Sequence, residues 1–138
     1  MEFFLYPWED LMDFGADFIA RKELLAALVA VFSFRERIVG RLVNLFSDNS
    51  SAVQWLKKGR TANPLGNTYL ACWELIKYIS RCKITPKWIP GNHNPTADAL
   101  SRGTVPNWLQ ARGRINCCDL GLLASLIRDP ESAWNYIL

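Results

Sequence analysis

From Ile19 to about Phe34 the chain is dominated by Leu, Ala, Val and Phe, with no Gly or Pro, which predicts a largely buried helix. Gly40 closes the turn after it, and the alternation in Arg41-Leu-Val-Asn-Leu-Phe-Ser-Asp predicts a central strand over Leu42–Ser47. Helix grammar follows in "DNSSAVQWLKKG". Asp48 or Asn49 can cap a helix opening near Ser50, Ala52, Val53 and Leu56 form an apolar stripe, and Lys57 and Lys58 meet the negative helix end before Gly59. A linker through Pro64 and Gly66 then leads into a helix over about Thr68–Arg81, with Leu70, Trp73, Leu75, Ile76 and Ile79 as its buried face.

A second strand is predicted in "KITPKWIP", with Ile84, Pro86, Trp88 and Pro90 on one side. An elbow rich in Pro, Gly and Asn, "WIPGNHNPTADALSRG", turns the chain into a short helix from Pro95 or Thr96 through Ser101. Upstream, "MEFFLYPW" reads as a short strand ending at Pro7, followed by an acidic loop through Gly15. Helical pieces are expected near 117–127 and 131–137. Strands alternating with helices make the fold class α/β, in layers. Trp55, Trp73, Trp88 and Trp108 fit core positions better than base-stacking ones.

At 138 residues, half of them hydrophobic, the chain has the size and composition of one globular domain. Its net charge of +3 is unevenly spread, with five acidic and no basic residues before Arg21. An acidic cap on a basic body suits a polyanion ligand and equally a plain solvated surface. Cys72, Cys82, Cys117 and Cys118 form no CxxC pair, and no secretory signal is evident, so thiols in a reducing intracellular setting are expected. The run "ELLAALVAVFSF" is too short to span a bilayer, so no membrane partner is expected.

Three carboxylates stand out by position. Glu23 lies early in an apolar helix, Asp48 at the carboxyl end of a central strand, and Asp98 in the first turn after the elbow. Converging like charges need a counterion, and Mg²⁺ or Mn²⁺ suits a cluster of carboxylate oxygens. Two such ions would clamp the attacking and leaving oxygens of a phosphodiester displacement. Each acid also has a plainer reading: Glu23 and Asp98 complement a helix dipole, and Asp48 caps the helix after it.

The stretches "ELLAALVAVFSF", "VNLFSDNSSAVQWLKKG" and "ITPKWIPGNHNPTADALSRG" together resemble the ribonuclease H domain of reverse-transcribing elements, with the nearest likeness to long-terminal-repeat and tyrosine-recombinase-type retrotransposons. Ile89, Pro90, Gly91, Asn94, Ala97, Asp98, Leu100, Ser101 and Arg102 fall on the last signature. The resemblance implies a ribonuclease H-like mixed sheet flanked by helices over 1–109, with 110–138 as a helical tail or connection. It implies Glu23, Asp48 and Asp98 as catalytic metal ligands for Mg²⁺ or Mn²⁺, with an RNA–DNA hybrid as the nucleic-acid partner. Asn49, Lys57, Lys58 and Arg102 are the expected nucleic-acid contacts. His93 does not fall where the family's mobile histidine stands and reads as an exposed turn residue.

The departure lies at the start. The family's sheet order is 3-2-1-4-5 and its first aspartate comes from the first strand, whereas these residues begin at a strand matching the third. The catalytic set is then one carboxylate short, and activity is expected to be weak or lost, leaving a non-catalytic binding or scaffold module as the alternative. Three outcomes are open for the sheet: strand 2–7 pairs beside strand 42–47, a second chain completes the sheet, or the molecule is a remnant. The first is the expectation.

Overall fold

The computed structural model describes residues 2–3, 18–102, 107–110, 113–114, 123, 125 and 127–129. In order these form β1 (Glu2–Phe3), α1 (Phe18–Ser33), β2 (Leu42–Ser47), α2 (Ser50–Lys58), α3 (Pro64–Ser80), β3 (Lys83–Trp88), a 3₁₀ turn (Gly91–His93), α4 (Pro95–Ser101), α5 (Asn107–Gln110) and β4 (Gly113–Arg114). The α/β class read from the sequence is what the chain adopts.

Leu24, Leu25, Leu28, Val29, Val31 and Phe32 are all buried, so α1 is covered around much of its circumference and packs against both α2 and α3. Its end is closed by Arg35, which donates to the Phe32 carbonyl at 2.8 Å and lies 4.3 Å over the Phe32 ring. The turn that follows passes through Gly40 at φ +69°, a backbone region that favours glycine, and there the Gly40 N–H donates to the Ser80 carbonyl.

α3 begins four residues before the expected Thr68. Pro64 and Gly66 punctuate chains in general, which is why the sequence alone suggests a linker there. Here Pro64 occupies the first turn, where its missing N–H costs nothing, and the Asn63 side chain caps the helix by accepting from Gly66 N–H at 2.9 Å. Gly66 is buried, and a Cβ there would stand 2.7 Å from the Thr61 methyl. Of the expected buried face, Leu70, Trp73, Leu75 and Ile76 are buried, while Ile79 is 43 % exposed.

β2 and β3 pair in parallel, in register from Leu42 opposite Lys83 to Ser47 opposite Trp88. Lys83 N–H donates to the Arg41 carbonyl and Ile89 N–H to that of Ser47, so the odd positions of both strands carry the ladder. Pro86 is an even position, its nitrogen turned away from β2, and the strand tolerates it without losing a ladder bond. One face of the pair (Val43, Leu45, Ile84, Pro86) is buried or half-buried, and Val43, Leu45 and Ile84 join the helical core there. The other (Leu42, Asn44, Phe46, Lys83, Thr85, Lys87) is exposed. Trp88, expected on the core side, is 53 % exposed.

The described part of the N-terminal strand, Glu2 and Phe3, does not lie beside β2. Glu2 and Phe3 pair in parallel with Gly113 and Arg114 instead, while β2 has only β3 as a strand neighbour among the described residues. Both described pairs are parallel. A two-residue strand has no alternation to fix its partner, and here a downstream segment supplies it. The rest of the expected strand, 4–7, lies outside the described residues, as do Cys117, Cys118 and the helix expected at 131–137. Leu123 is buried in the same core as α1 and α3, with Ile127 packed against it. Cys72 is buried and Cys82 partly so. Burial pushes the Cys72 thiol up to about 11 and raises that of Cys82, so both stay protonated at neutral pH. Among the described residues no helix is long and apolar enough to cross a membrane.

Candidate functional site

The site is built where β2 ends. Its last residue, Ser47, accepts from Ile89 N–H at 3.0 Å, and the Asp48 carbonyl accepts from the Trp88 indole N–H at 3.0 Å. The start of the elbow is therefore stapled to the strand that delivers Asp48. Gly91 completes the contact: a Cβ at that position would stand 3.0 Å from Asp48 Oδ2, so glycine lets the backbone come up against the carboxylate. The indole and glycine contacts carried no sequence signal of their own beyond the clustering of Pro, Gly and Asn.

Capping of α2 falls to Asn49, not Asp48. Asn49 Oδ1 accepts from Ala52 N–H at 2.8 Å, and its own N–H donates to Ser47 Oγ at 3.2 Å. The Asp48 side chain is thus not the α2 cap and stays exposed at the strand end, beside the elbow. Asn49, expected as a nucleic-acid contact, has its side-chain oxygen engaged in the cap. At the far end of α2, Lys57 and Lys58 are exposed in the last turn, and Gly59, at φ +75°, closes the helix with its N–H on the Trp55 carbonyl.

Glu23 is half-buried on α1. Burial raises its pKa above the ordinary glutamate value, the Asp48 charge raises it further, and Lys22 opposes both. The influence of Asp48 on Glu23 means that two of the three acids lie within electrostatic reach of one another. The third, Asp98, sits in the first turn of α4 with its Oδ2 3.3 Å from an Arg102 guanidinium nitrogen, in a pair whose Arg102 side chain is 76 % exposed. Such a pair contributes about 0–1 kcal/mol, and the i,i+4 spacing that creates it is visible in the sequence. No group of three metal-capable side chains is gathered among the described residues. His93 is exposed at the end of the 3₁₀ turn.

A half-buried carboxylate in the field of a second one favours taking up a proton or a hard cation. The proton has a measurable consequence. Because the folded-state pKa of Glu23 is raised, its favourable contribution to stability is complete below the unfolded pKa and disappears as pH rises through the folded value. Urea titrations in metal-free buffer are therefore expected to show stability falling from just above the ordinary glutamate pKa upward. The fall should be smaller in Asp48→Asn and absent in Glu23→Gln. An unchanged slope in Glu23→Gln would remove Glu23 as its source.

No family model, curated protein or solved structure matches this chain.

Proposed function

We propose that the chain is a ribonuclease H-like domain of retroelement origin, whose ancestral activity is metal-dependent hydrolysis of the RNA strand of an RNA–DNA hybrid. The observation that carries the reading is that Glu23 on α1 lies within electrostatic reach of Asp48 at the end of β2, whose charge adds to burial in raising the Glu23 pKa. The parallel pairing of β2 and β3 around a helical crossover agrees with the fourth and fifth strands of the resembled order.

Glu23 and Asp48 would suit a hard divalent ion, since the repulsion that Asp48 exerts on Glu23 is what such an ion relieves. Asp98, paired with Arg102, is not gathered with them into a three-residue group. A bound Mg²⁺ or Mn²⁺ would supply positive charge against the charge developing on a phosphate. The chain's own part is to present Asp48 at an exposed strand end, to hold that end through Trp88 and Ile89, and to place Lys57 and Lys58 where they neutralise phosphates. Among the described residues only Glu23 and Asp48 influence one another, and with two carboxylates metal retention and turnover are expected to be weak.

The second reading, a non-catalytic nucleic-acid-binding or scaffold module, is favoured by the Asp98–Arg102 pair. One experiment separates the two. Mn²⁺ titration followed calorimetrically is expected to show weak binding that Glu23→Gln and Asp48→Asn each abolish, and the same samples are assayed on a labelled RNA–DNA hybrid. Slow cleavage lost in Asp48→Asn supports the nuclease. Binding of Mn²⁺ and hybrid without cleavage supports the module. No Mn²⁺ binding attributable to Glu23 and Asp48 overturns the metal site and the nuclease reading with it.

A further inference from the structure

Among the described residues the β2–β3 pair has no further strand neighbour, and its two edges differ in how they are protected. The outer edge of β3 carries Pro86, with its nitrogen on that side, between Lys83 and Lys87, devices that discourage further strand pairing. β2, "LVNLFS", has no charge, no Pro and no Gly. Because Arg41 and Ser47 accept from β3, the N–H and C=O groups of Leu42, Asn44 and Phe46 point to the open side. Leu42 is 84 % exposed and Phe46 49 %.

We propose that a second copy of this chain pairs antiparallel with this edge, about a two-fold axis through Asn44. Two-fold symmetry requires two like edges to meet antiparallel, and β2 is self-complementary in that register. Leu42 falls opposite Phe46 of the copy, Phe46 opposite its Leu42, and Asn44 opposite Asn44. These are the positions whose backbone groups face outward, so each pair exchanges both of its N–H···O bonds. Val43 falls opposite Leu45 on the core side, which keeps apolar residues on one face across the whole four-stranded sheet. Charge agrees with the choice: two β2 edges meet without repulsion, whereas two β3 edges would bring Lys83 and Lys87 together. One strand pair buries less than the ~1,600 Å² of a standard interface, so the dimer is weak and its population follows concentration.

The inference is independent of the nuclease reading. Sedimentation velocity over a concentration series is expected to show a monomer–dimer equilibrium. Leu42→Lys/Phe46→Lys replaces two symmetric apolar pairs by like charges at exposed positions and is expected to weaken dimerisation about tenfold or more, with helical circular dichroism unchanged. Register is read by cross-linking. The Cα atoms of a hydrogen-bonded antiparallel pair stand about 5.5 Å apart, within disulfide range. Asn44→Cys should therefore form a self-linked dimer beyond the background of the parent thiols, and a mixture of Leu42→Cys and Phe46→Cys should link only with each other. A monomer at every concentration, a double-lysine variant as dimeric as the parent, or no Asn44→Cys cross-link above background would each overturn the proposal.

Discussion

Trp73→Ala is expected to lower the unfolding free energy by about 3–5 kcal/mol, a large share of the roughly 5–15 kcal/mol that holds a domain of this size. Trp73 is 1 % exposed on α3, the helix that packs against α1, and it is the largest fully buried side chain among the described residues. Truncation removes the transfer free energy of an indole and leaves a cavity that neighbouring helices close only in part. In urea the midpoint should fall with the slope unchanged, since the surface exposed on unfolding is nearly the same. Ile79→Ala, on the same helix at 43 % exposure, is the control and should cost well under half as much. Equal losses at the two positions would contradict the described orientation of α3.

Leu24→Ala is expected to cost about 2–5 kcal/mol and, unlike Trp73→Ala, to be felt at the site. Leu24 is fully buried and adjoins Glu23, so the packing that anchors this turn of α1 also sets how far Glu23 stands from water and from Asp48. Loosening the turn hydrates Glu23, and its pKa should move back toward the ordinary glutamate value. Carboxyl NMR titration of the folded variant is the measurement. Loss of stability with an unmoved Glu23 pKa would show that the position of the carboxylate does not depend on this packing.

The elements readable in the sequence were those with a local cause. β2 was bounded correctly because its alternation ends sharply at Ser47, and α1 was found within a residue at each end because no breaker interrupts it. α3 was begun late because Pro64 and Gly66 break helices in general, whereas a first turn accepts both and Asn63 caps it. The partner of β1 was misjudged because pairing between distant segments is decided by tertiary packing that a two-residue strand does not encode. At the site, Glu23 was legible as a carboxylate out of place on an apolar helix, and its raised pKa is the physical form of that oddity. Asp48 and Asn49 were interchangeable as caps in the sequence, and only the Asn49–Ala52 bond separates their roles. The Asp98–Arg102 pair was implicit in their spacing but hidden by the stronger expectation that both would face a ligand.

The parallel pairing of β2 with β3 also constrains the order in which this molecule can assemble. Parallel neighbours cannot be joined by a tight turn, so α2 and α3 must be traversed before a single ladder bond forms. The Trp88–Asp48 bond and the approach of Gly91 to Asp48 lie at the far end of that ladder. They are late contacts, made only after helical docking has met the cost of closing the crossover. The elbow and Asp48 should therefore gain and lose protection together, as one unit that opens before the helical core does.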